Sequence, residues 1–113
     1  MIALEVSKNG RRVCVAGAAD LGVLTAHVGA VGRLGPETVR SRPDEGPPDL
    51  HYNVGGLTDR GAAAEDVHLR WKSISPVKVG DVITVRVLET DRADPPVEET
   101  RADRRRGRPT EEE

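Results

Sequence analysis

Apolar and polar residues alternate at the start of the chain, which is the pattern of a half-buried β-strand. Every second residue from Ile2 to Val6 is a branched aliphatic one, and the alternation resumes over residues 12–16. Between these two runs lies the pair Asn9-Gly10, which suits a two-residue type I′ turn because both of its positions require a positive φ. We therefore predict a β-hairpin over residues 2–16.

A two-residue turn also fixes which residues of the two strands lie opposite each other. It predicts that Val6 lies opposite Val13 on one face, and that Glu5 and Cys14 share the other face. A neighbouring carboxylate raises the pKa of a thiol, whereas a nucleophilic cysteine needs a lowered pKa. We therefore interpret Cys14 as a structural, partly buried residue.

Residues 21–32 fit two different elements. In a helix, Asp20 would serve as the N-cap and four aliphatic residues would form one stripe. In a strand, Leu24, Ala26 and Val28 lie on one face. The three glycines of this segment weaken a helix by up to about 1 kcal/mol each, and valine prefers strands. We predict a strand and keep the helix as the alternative.

The rest of the body is predicted to be a long loop followed by further strands. Residues 33–49 are rich in proline, glycine and charge, which predicts a loop with at most one helical turn. Alternating apolar residues then predict strands over 50–54, ended by Gly55-Gly56, over 67–72 and over 82–89. With about six short strands, we predict an all-β fold, namely a small antiparallel β-sandwich or β-barrel.

The alternating pattern stops at residue 91. From there to residue 113 the only sizeable aliphatic residue is Val97, and Asp94-Pro95-Pro96 interrupts any strand. Such a segment cannot bury enough apolar surface to offset the conformational entropy lost on ordering. We predict one folded domain over residues 1–90 and a disordered, charged C-terminal tail over residues 91–113.

The composition implies a thin hydrophobic core. Aromatic residues make up 2% of the chain, with one Trp, one Tyr and no Phe. Because aromatic side chains bury the most apolar area per residue, valine, leucine and isoleucine must form the core. A small domain of this kind is only marginally stable alone, so we expect a partner, which is either another protein or a second copy in a homodimer.

The charge distribution argues against a dedicated nucleic-acid-binding protein. Residues 1–90 carry equal numbers of basic and acidic residues, whereas nucleic-acid-binding domains have a basic excess. Arg104, Arg105 and Arg106 would suit contacts with phosphate groups, but the acidic residues on both sides of them favour a self-screening linker. A nucleic-acid accessory factor that acts through this Arg-rich segment is therefore an alternative.

No motif predicts catalysis, a cofactor or a metal site. The three histidines and the single cysteine include no short-range ligand pair such as Cys-x-x-Cys, which structural zinc sites generally use. Neither a Gly-x-Ser-x-Gly motif nor a phosphate-binding loop is present. An enzyme is accordingly disfavoured, and a small ligand-binding or hydrolytic β-barrel that uses loop acids and histidines is the second alternative.

Charged side chains on two predicted strands, together with the Arg-rich segment, form the best candidate for a binding surface. These residues are His68, Arg70, Lys72, Arg86, Arg104, Arg105 and Arg106. We predict a small non-catalytic protein–protein interaction module or accessory subunit that uses this surface or the loop at 33–49. No signal peptide or bilayer-length apolar run is visible, so we expect a cytoplasmic protein without a membrane partner. The excess of arginine over lysine is typical of a GC-rich genome and suggests a bacterial assembly.

Overall fold

Seven antiparallel β-strands form two sheets over the residues that the computed structural model describes, namely 1–39, 46–62 and 64–102. In chain order they are β1 (Ile2–Lys8), β2 (Arg11–Ala16), β3 (Leu21–Val31), β4 (Asp49–Thr58), β5 (Val67–Pro76), β6 (Ile83–Glu89) and β7 (Glu98–Arg101). Sheet A has the strand order β2-β1-β6, and sheet B has the order β3-β4-β5-β7. The predicted all-β fold is confirmed, with seven strands where about six were predicted.

The first hairpin turns where the sequence predicts it. Asn9 and Gly10 both have a positive φ, at 53° and 84°, as the type I′ turn requires. Lys8 lies opposite Arg11 in the register of this turn. The Asn9 side chain also accepts a hydrogen bond from the Val82 N–H at 2.8 Å, which ties the hairpin to the start of β6.

The predicted pairing of Val6 with Val13 is wrong, because a β-bulge interrupts the pairing of β1 with β2. The bulge inserts one extra residue into β2, so Val6 lies opposite Cys14 and Glu5 lies opposite Val15. Val13 and Cys14 consequently both pack against the core. The bulge thus brings one more apolar side chain to the core than a regular strand would.

Strand β3 spans Leu21–Val31, so the strand interpretation of this segment is confirmed. Strand β4, in contrast, continues through Gly55 and Gly56, which we predicted to end it. A Cβ atom on Gly56 would lie 2.6 Å from the Val23 carbonyl oxygen, and one on Gly55 would lie 3.0 Å from the Leu69 carbonyl oxygen. Glycine is needed within this strand because the neighbouring backbones approach it closely.

The fold extends beyond the predicted domain boundary at residue 90. The Asp94 N–H donates to the Val15 carbonyl at 2.8 Å, and the Val97 N–H donates to the Arg70 carbonyl at 2.8 Å. After this point β7 pairs with β5. Backbone hydrogen bonds to the edges of β2 and β5 order the segment, although it brings few apolar side chains. The prediction of disorder is therefore wrong for residues 91–102, and residues 103–113 lie outside the described residues.

The core lies between the two sheets. Its buried residues are Val6, Cys14 and Ala16 from sheet A and Tyr52, Val54, Val67, Leu69 and Trp71 from sheet B. Strand β2 packs over β5 and β1 packs over β3, which leaves β6 towards the outside of the sandwich. This offset determines which apolar side chains remain in contact with solvent.

Candidate interaction site on strand β6

The face of sheet A that packs on the core continues onto strand β6, where its apolar side chains are no longer fully covered by sheet B. Val85 lies opposite Val6 and Val87 lies opposite Leu4, so these four side chains are on the same face of the sheet. Val6 is fully buried, whereas Val85 is 43% exposed and Val87 is 68% exposed. Ile2, two residues before Leu4 on β1, lies on this face and is also exposed. We call Ile2, Val85 and Val87 the β6 strip.

The neighbouring edge strand of sheet B is open on the same side of the sandwich. Val28 of β3 lies opposite the buried Tyr52, on the face of sheet B that carries the core, yet Val28 is 56% exposed. The two edges lie on the same side because β1 packs over β3 while β6 lies outside β1. The sandwich therefore exposes apolar residues of both sheets along this side.

Backbone hydrogen bonds show which groups of β6 face β1. Met1 and Thr90 exchange two N–H to carbonyl hydrogen bonds of 2.9 Å, and the Asn9 N–H donates to the Val82 carbonyl at 2.8 Å. Hydrogen-bonded and non-hydrogen-bonded pairs alternate along an antiparallel ladder. The even-numbered residues of β6 therefore bond to β1.

The odd-numbered residues of β6 direct their backbone groups outward as a consequence. Ile83, Val85 and Val87 present N–H and carbonyl groups on the side of β6 that faces away from β1. Sheet A has no further strand on that side among the described residues. The same residues thus offer free main-chain groups at the edge, and two of them belong to the β6 strip.

On the opposite side of the sandwich, the edge strand β2 has a partner at Val15. The Val15 N–H, on the edge strand β2, donates to the Asp94 carboxylate at 2.8 Å. Trp71 Nε1 donates to the Asp94 carbonyl oxygen at 2.7 Å, which seals this side of the core. The centre of the β2 edge is therefore partnered by the chain's own Asp94, whereas β6 has no such partner among the described residues.

The turn before β6 is anchored and so positions the strand. Asp81 accepts hydrogen bonds from Asn9 Nδ2 at 3.0 Å and from the Lys78 N–H at 2.9 Å. The hydrogen bond from Asn9, followed by that from Lys78, lowers the pKa of the Asp81 carboxyl group from its ordinary value. Lys8 Nζ lies 3.9 Å from the same carboxylate. These contacts hold the start of β6 against the first hairpin.

The residues predicted to form one charged surface are divided between the two sheets. His68 and Arg70 share the outer face of sheet B, and Arg70 Nε lies 3.8 Å from Glu98. Arg86 lies on the outer face of sheet A, with its Nε 3.3 Å from Glu5 Oε1. The structure therefore does not bring these residues together as one surface. Arg104, Arg105 and Arg106 lie outside the described residues.

Lys72 is turned away from the outer face of sheet B. A β-bulge interrupts the pairing of β4 with β5 close to this residue. The Lys72 Nζ lies 6.0 Å from the centroid of the Tyr52 ring, and Tyr52 belongs to the core. Strict alternation placed Lys72 beside Arg70, and the extra residue of the bulge reverses that placement.

The three histidines do not gather in one site. His27 and His51 stack with ring centroids 5.6 Å apart, and both rings lie against Gly29. His68 instead lines a shallow depression of about 300 Å³ on the outer face of sheet B, beside Arg70. Over the described ranges, no group of three or more His, Cys, Asp or Glu side chains could hold a metal ion. The alternative of a barrel with histidines at one mouth therefore gains no support from these positions.

Cys14 is buried between the sheets on the same face as Val6, so its predicted position on the face of Glu5 is wrong. Burial raises the pKa of its thiol, the Asp94 carboxylate raises it further, and Lys72 opposes these effects. A thiol with a raised pKa is a poor nucleophile at neutral pH. The cause differs from the one expected, because Glu5 lies opposite Val15 instead.

No protein family, curated protein or solved structure matches the chain. The part of the chain that the structure describes also has no helix with the length and apolar character needed to cross a bilayer. Function must therefore be inferred from the geometry of the chain itself, in which the exposed edge of β6 is the most distinctive feature. The sequence did not reveal this edge, because the alternation of Ile83, Val85 and Val87 is equally typical of a covered strand.

Proposed function

We propose that the chain is a non-catalytic protein-interaction domain, an accessory subunit of a larger bacterial assembly, and that it binds a polypeptide along the outer edge of β6. The observation that carries this proposal is that outward-facing backbone groups and exposed valines occur on the same strand. A polypeptide that adds a strand to such an edge gains main-chain hydrogen bonds and covers the side chains on one face.

Association at this edge would be favourable on two counts. Full burial of a valine side chain contributes about 1.5–3 kcal/mol, and Val85 and Val87 still expose a large part of their surface. Each new main-chain hydrogen bond adds about 0.5–1.5 kcal/mol net. The partner would therefore gain affinity from both the backbone and the β6 strip.

The edge of β6 lacks the features that usually discourage strand addition. Natural edges are protected by proline, lysine or β-bulges. Between Ile83 and Leu88 there is neither proline nor lysine, and the pairing of β6 with β1 is regular. The one charged residue in this stretch, Arg86, is paired with Glu5. The free, buried thiol of Cys14 is compatible with the reducing cytoplasm in which we place this role.

A matched pair of variants tests the proposal. Val87 and Val97 are 68% and 70% exposed, but only Val87 belongs to the β6 strip. We expect the immobilised wild-type protein and Val97→Lys to retain the same polypeptide from cells that produce the chain. Val87→Lys should reduce that retention by about tenfold or more, because the partner would have to desolvate a charge.

Cross-linking mass spectrometry then locates the contact on the chain. We expect cross-links from the retained polypeptide to residues 83–89. Equal retention by both variants, or cross-links to the outer face of sheet B instead, would contradict the proposal. Circular dichroism and thermal melting of each variant control for loss of folding.

A further inference from the structure

We propose that the polypeptide that occupies the β6 edge is β6 of a second copy of this chain, antiparallel to the first across a two-fold axis at Val85. This inference rests on the proposed function, because it names the occupant of the same edge. It follows from three observations: the direction of the backbone groups of β6, the order of its side chains, and the ion pair that Arg86 makes with Glu5.

The backbone groups make the edge complementary to itself. When a two-fold axis passes through one residue of β6, each residue before it lies opposite the residue at the same distance after it in the second copy. With the axis at Val85, Val85 lies opposite its own counterpart, and Ile83 lies opposite Val87 of the second copy. These residues are the ones whose N–H and carbonyl groups face outward, so each opposed pair can exchange two hydrogen bonds.

The side chains favour this register over the one centred on the next residue. An axis at Arg86 would also satisfy the backbone groups, but it would place Arg86 directly opposite Arg86 of the second copy. Like charges in directly opposed positions destabilise a sheet. The same register would place Ile83 opposite Glu89, so that the Ile83 side chain would lack an apolar partner.

An axis at Thr84 is disfavoured for a similar reason. It would place Val87 of the β6 strip opposite Asp81 and leave part of the strand unpaired. With the axis at Val85, Ile83, Val85 and Val87 meet only one another on the inner face, and Thr84 meets Arg86 on the outer face. Glu89 comes opposite Asp81 beyond this apolar stretch, but Asp81 precedes β6, is hydrogen-bonded by Asn9 and Lys78, and lies 3.9 Å from Lys8 Nζ. Arg86 keeps its own Glu5 at 3.3 Å, so the outer face brings no unpaired like charges into direct opposition.

The resulting assembly would join the two three-stranded sheets into one sheet with the order β2-β1-β6-β6-β1-β2. The interface is isologous, since each copy contributes the same strand. An edge-to-edge contact of one short strand buries less surface than the roughly 1,600 Å² of a standard interface. We therefore expect a reversible dimer that depends on protein concentration.

Sedimentation equilibrium of the full chain over a concentration series tests the association. We expect a monomer–dimer equilibrium for the wild type and for the control Val97→Lys. Val85→Lys would place two ammonium groups together at the axis and should weaken the dimer by about tenfold or more.

Thr84→Glu tests the register and leaves the apolar face unchanged. In the Val85-centred register the new carboxylate lies opposite Arg86 of the second copy, at two symmetric positions, so the dimer should tighten by about two- to tenfold. With the axis at Thr84 the two carboxylates would oppose each other and weaken the dimer. With the axis at Arg86 they would lie opposite Leu88 and would not tighten it.

Three results would overturn the inference: a monomer at every concentration tested, a dimer that Val85→Lys leaves unchanged, or a dimer that Thr84→Glu fails to tighten. The experiments distinguish failure of self-pairing from failure of polypeptide binding at the β6 edge. A monomeric chain that captures a different protein, and loses it on Val87→Lys, rejects self-pairing and retains binding at the edge. Because Thr84 is exposed on the outer face, Thr84→Glu keeps the test valid even if Val85→Lys impairs folding.

Discussion

Asp94 forms hydrogen bonds with both the backbone N–H and the backbone carbonyl oxygen of Val15. The Asp94 N–H donates to the Val15 carbonyl oxygen, and the Asp94 carboxylate accepts from the Val15 N–H, each at 2.8 Å. The Asp94 carbonyl oxygen accepts the indole hydrogen bond of Trp71 in addition. Asp94, which follows β6, therefore satisfies both backbone groups of Val15 on the edge of β2 and the indole N–H of Trp71 in sheet B.

Replacing Asp94 should weaken the fold in a graded way. Asp94→Ala leaves the Val15 N–H without its carboxylate partner, and hydrogen bonds to charged groups contribute about 1.5–3 kcal/mol. We expect urea denaturation to show a loss of about this size in the free energy of unfolding. Asp94→Asn retains an accepting oxygen and should lose less. Equal losses for the two variants would show that the carboxylate does not act as this acceptor.

A buried acid in the β4–β5 turn supplies the second prediction. Asp66 accepts hydrogen bonds from the Thr58 hydroxyl at 3.2 Å and from the Arg60 N–H at 2.7 Å. Asp66→Ala leaves these donors unsatisfied in the interior and should cost about 1–3 kcal/mol of unfolding free energy.

The adjacent acid, Glu65, is the matched control for Asp66. It is exposed and bonds Arg101 at 2.6 and 2.7 Å, and exposed ion pairs contribute little. Thermal and urea unfolding should therefore show a clearly smaller loss for Glu65→Ala than for Asp66→Ala. The reverse order would contradict the importance of the buried acid.

Gly56 should not tolerate a methyl group. The added Cβ would lie 2.6 Å from the Val23 carbonyl oxygen, and a backbone atom cannot move aside as a side chain can. We expect Gly56→Ala to destabilise the protein by about 1–3 kcal/mol, as overpacking generally does. A Cβ on Gly46 would meet nothing within 4 Å, so the melting temperature of Gly46→Ala should stay close to that of the wild type.

The raised pKa of the Cys14 thiol predicts a pH dependence of stability. Because the folded protein holds the thiol proton more tightly than the unfolded chain, this contribution is fully present below the ordinary pKa of 9.0. It is lost as the pH rises from there through the higher pKa of the folded state. We expect the unfolding free energy of the wild type to fall as the pH rises above about 9, and that of Cys14→Ala to fall less steeply. Parallel profiles for the two proteins would argue against this origin.

Much of the architecture followed from local patterns. Asn9-Gly10 and the alternation around it predicted the first hairpin, because the turn type depends only on the two residues that adopt a positive φ. The glycines and valines of residues 21–31 favoured the strand that is observed. These signals act over a few residues and require no knowledge of the rest of the fold.

The errors arose where a distant strand determines the local structure. The bulge that pairs Val6 with Cys14 depends on what the core can accommodate, and Gly56 belongs to a strand because Val23 approaches it. The segment around Asp94 lacks apolar residues, yet it is ordered by edges that lie far away in the sequence. The exposure of Val87 depends on the offset between two sheets, which no pattern within β6 encodes.

The position of Asp94 late in the chain has a consequence for biosynthesis. The ribosome releases β2 and β5 well before the residues that complete their edges, so Trp71 emerges without its carbonyl acceptor. Until residue 102 has left the exit tunnel, a nascent chain would present unpaired edges on β2 and β5 as well as on β6, and such edges recruit other strands. A cut within residues 91–102 would make that transient condition permanent, and the exposed edges would then favour aggregation.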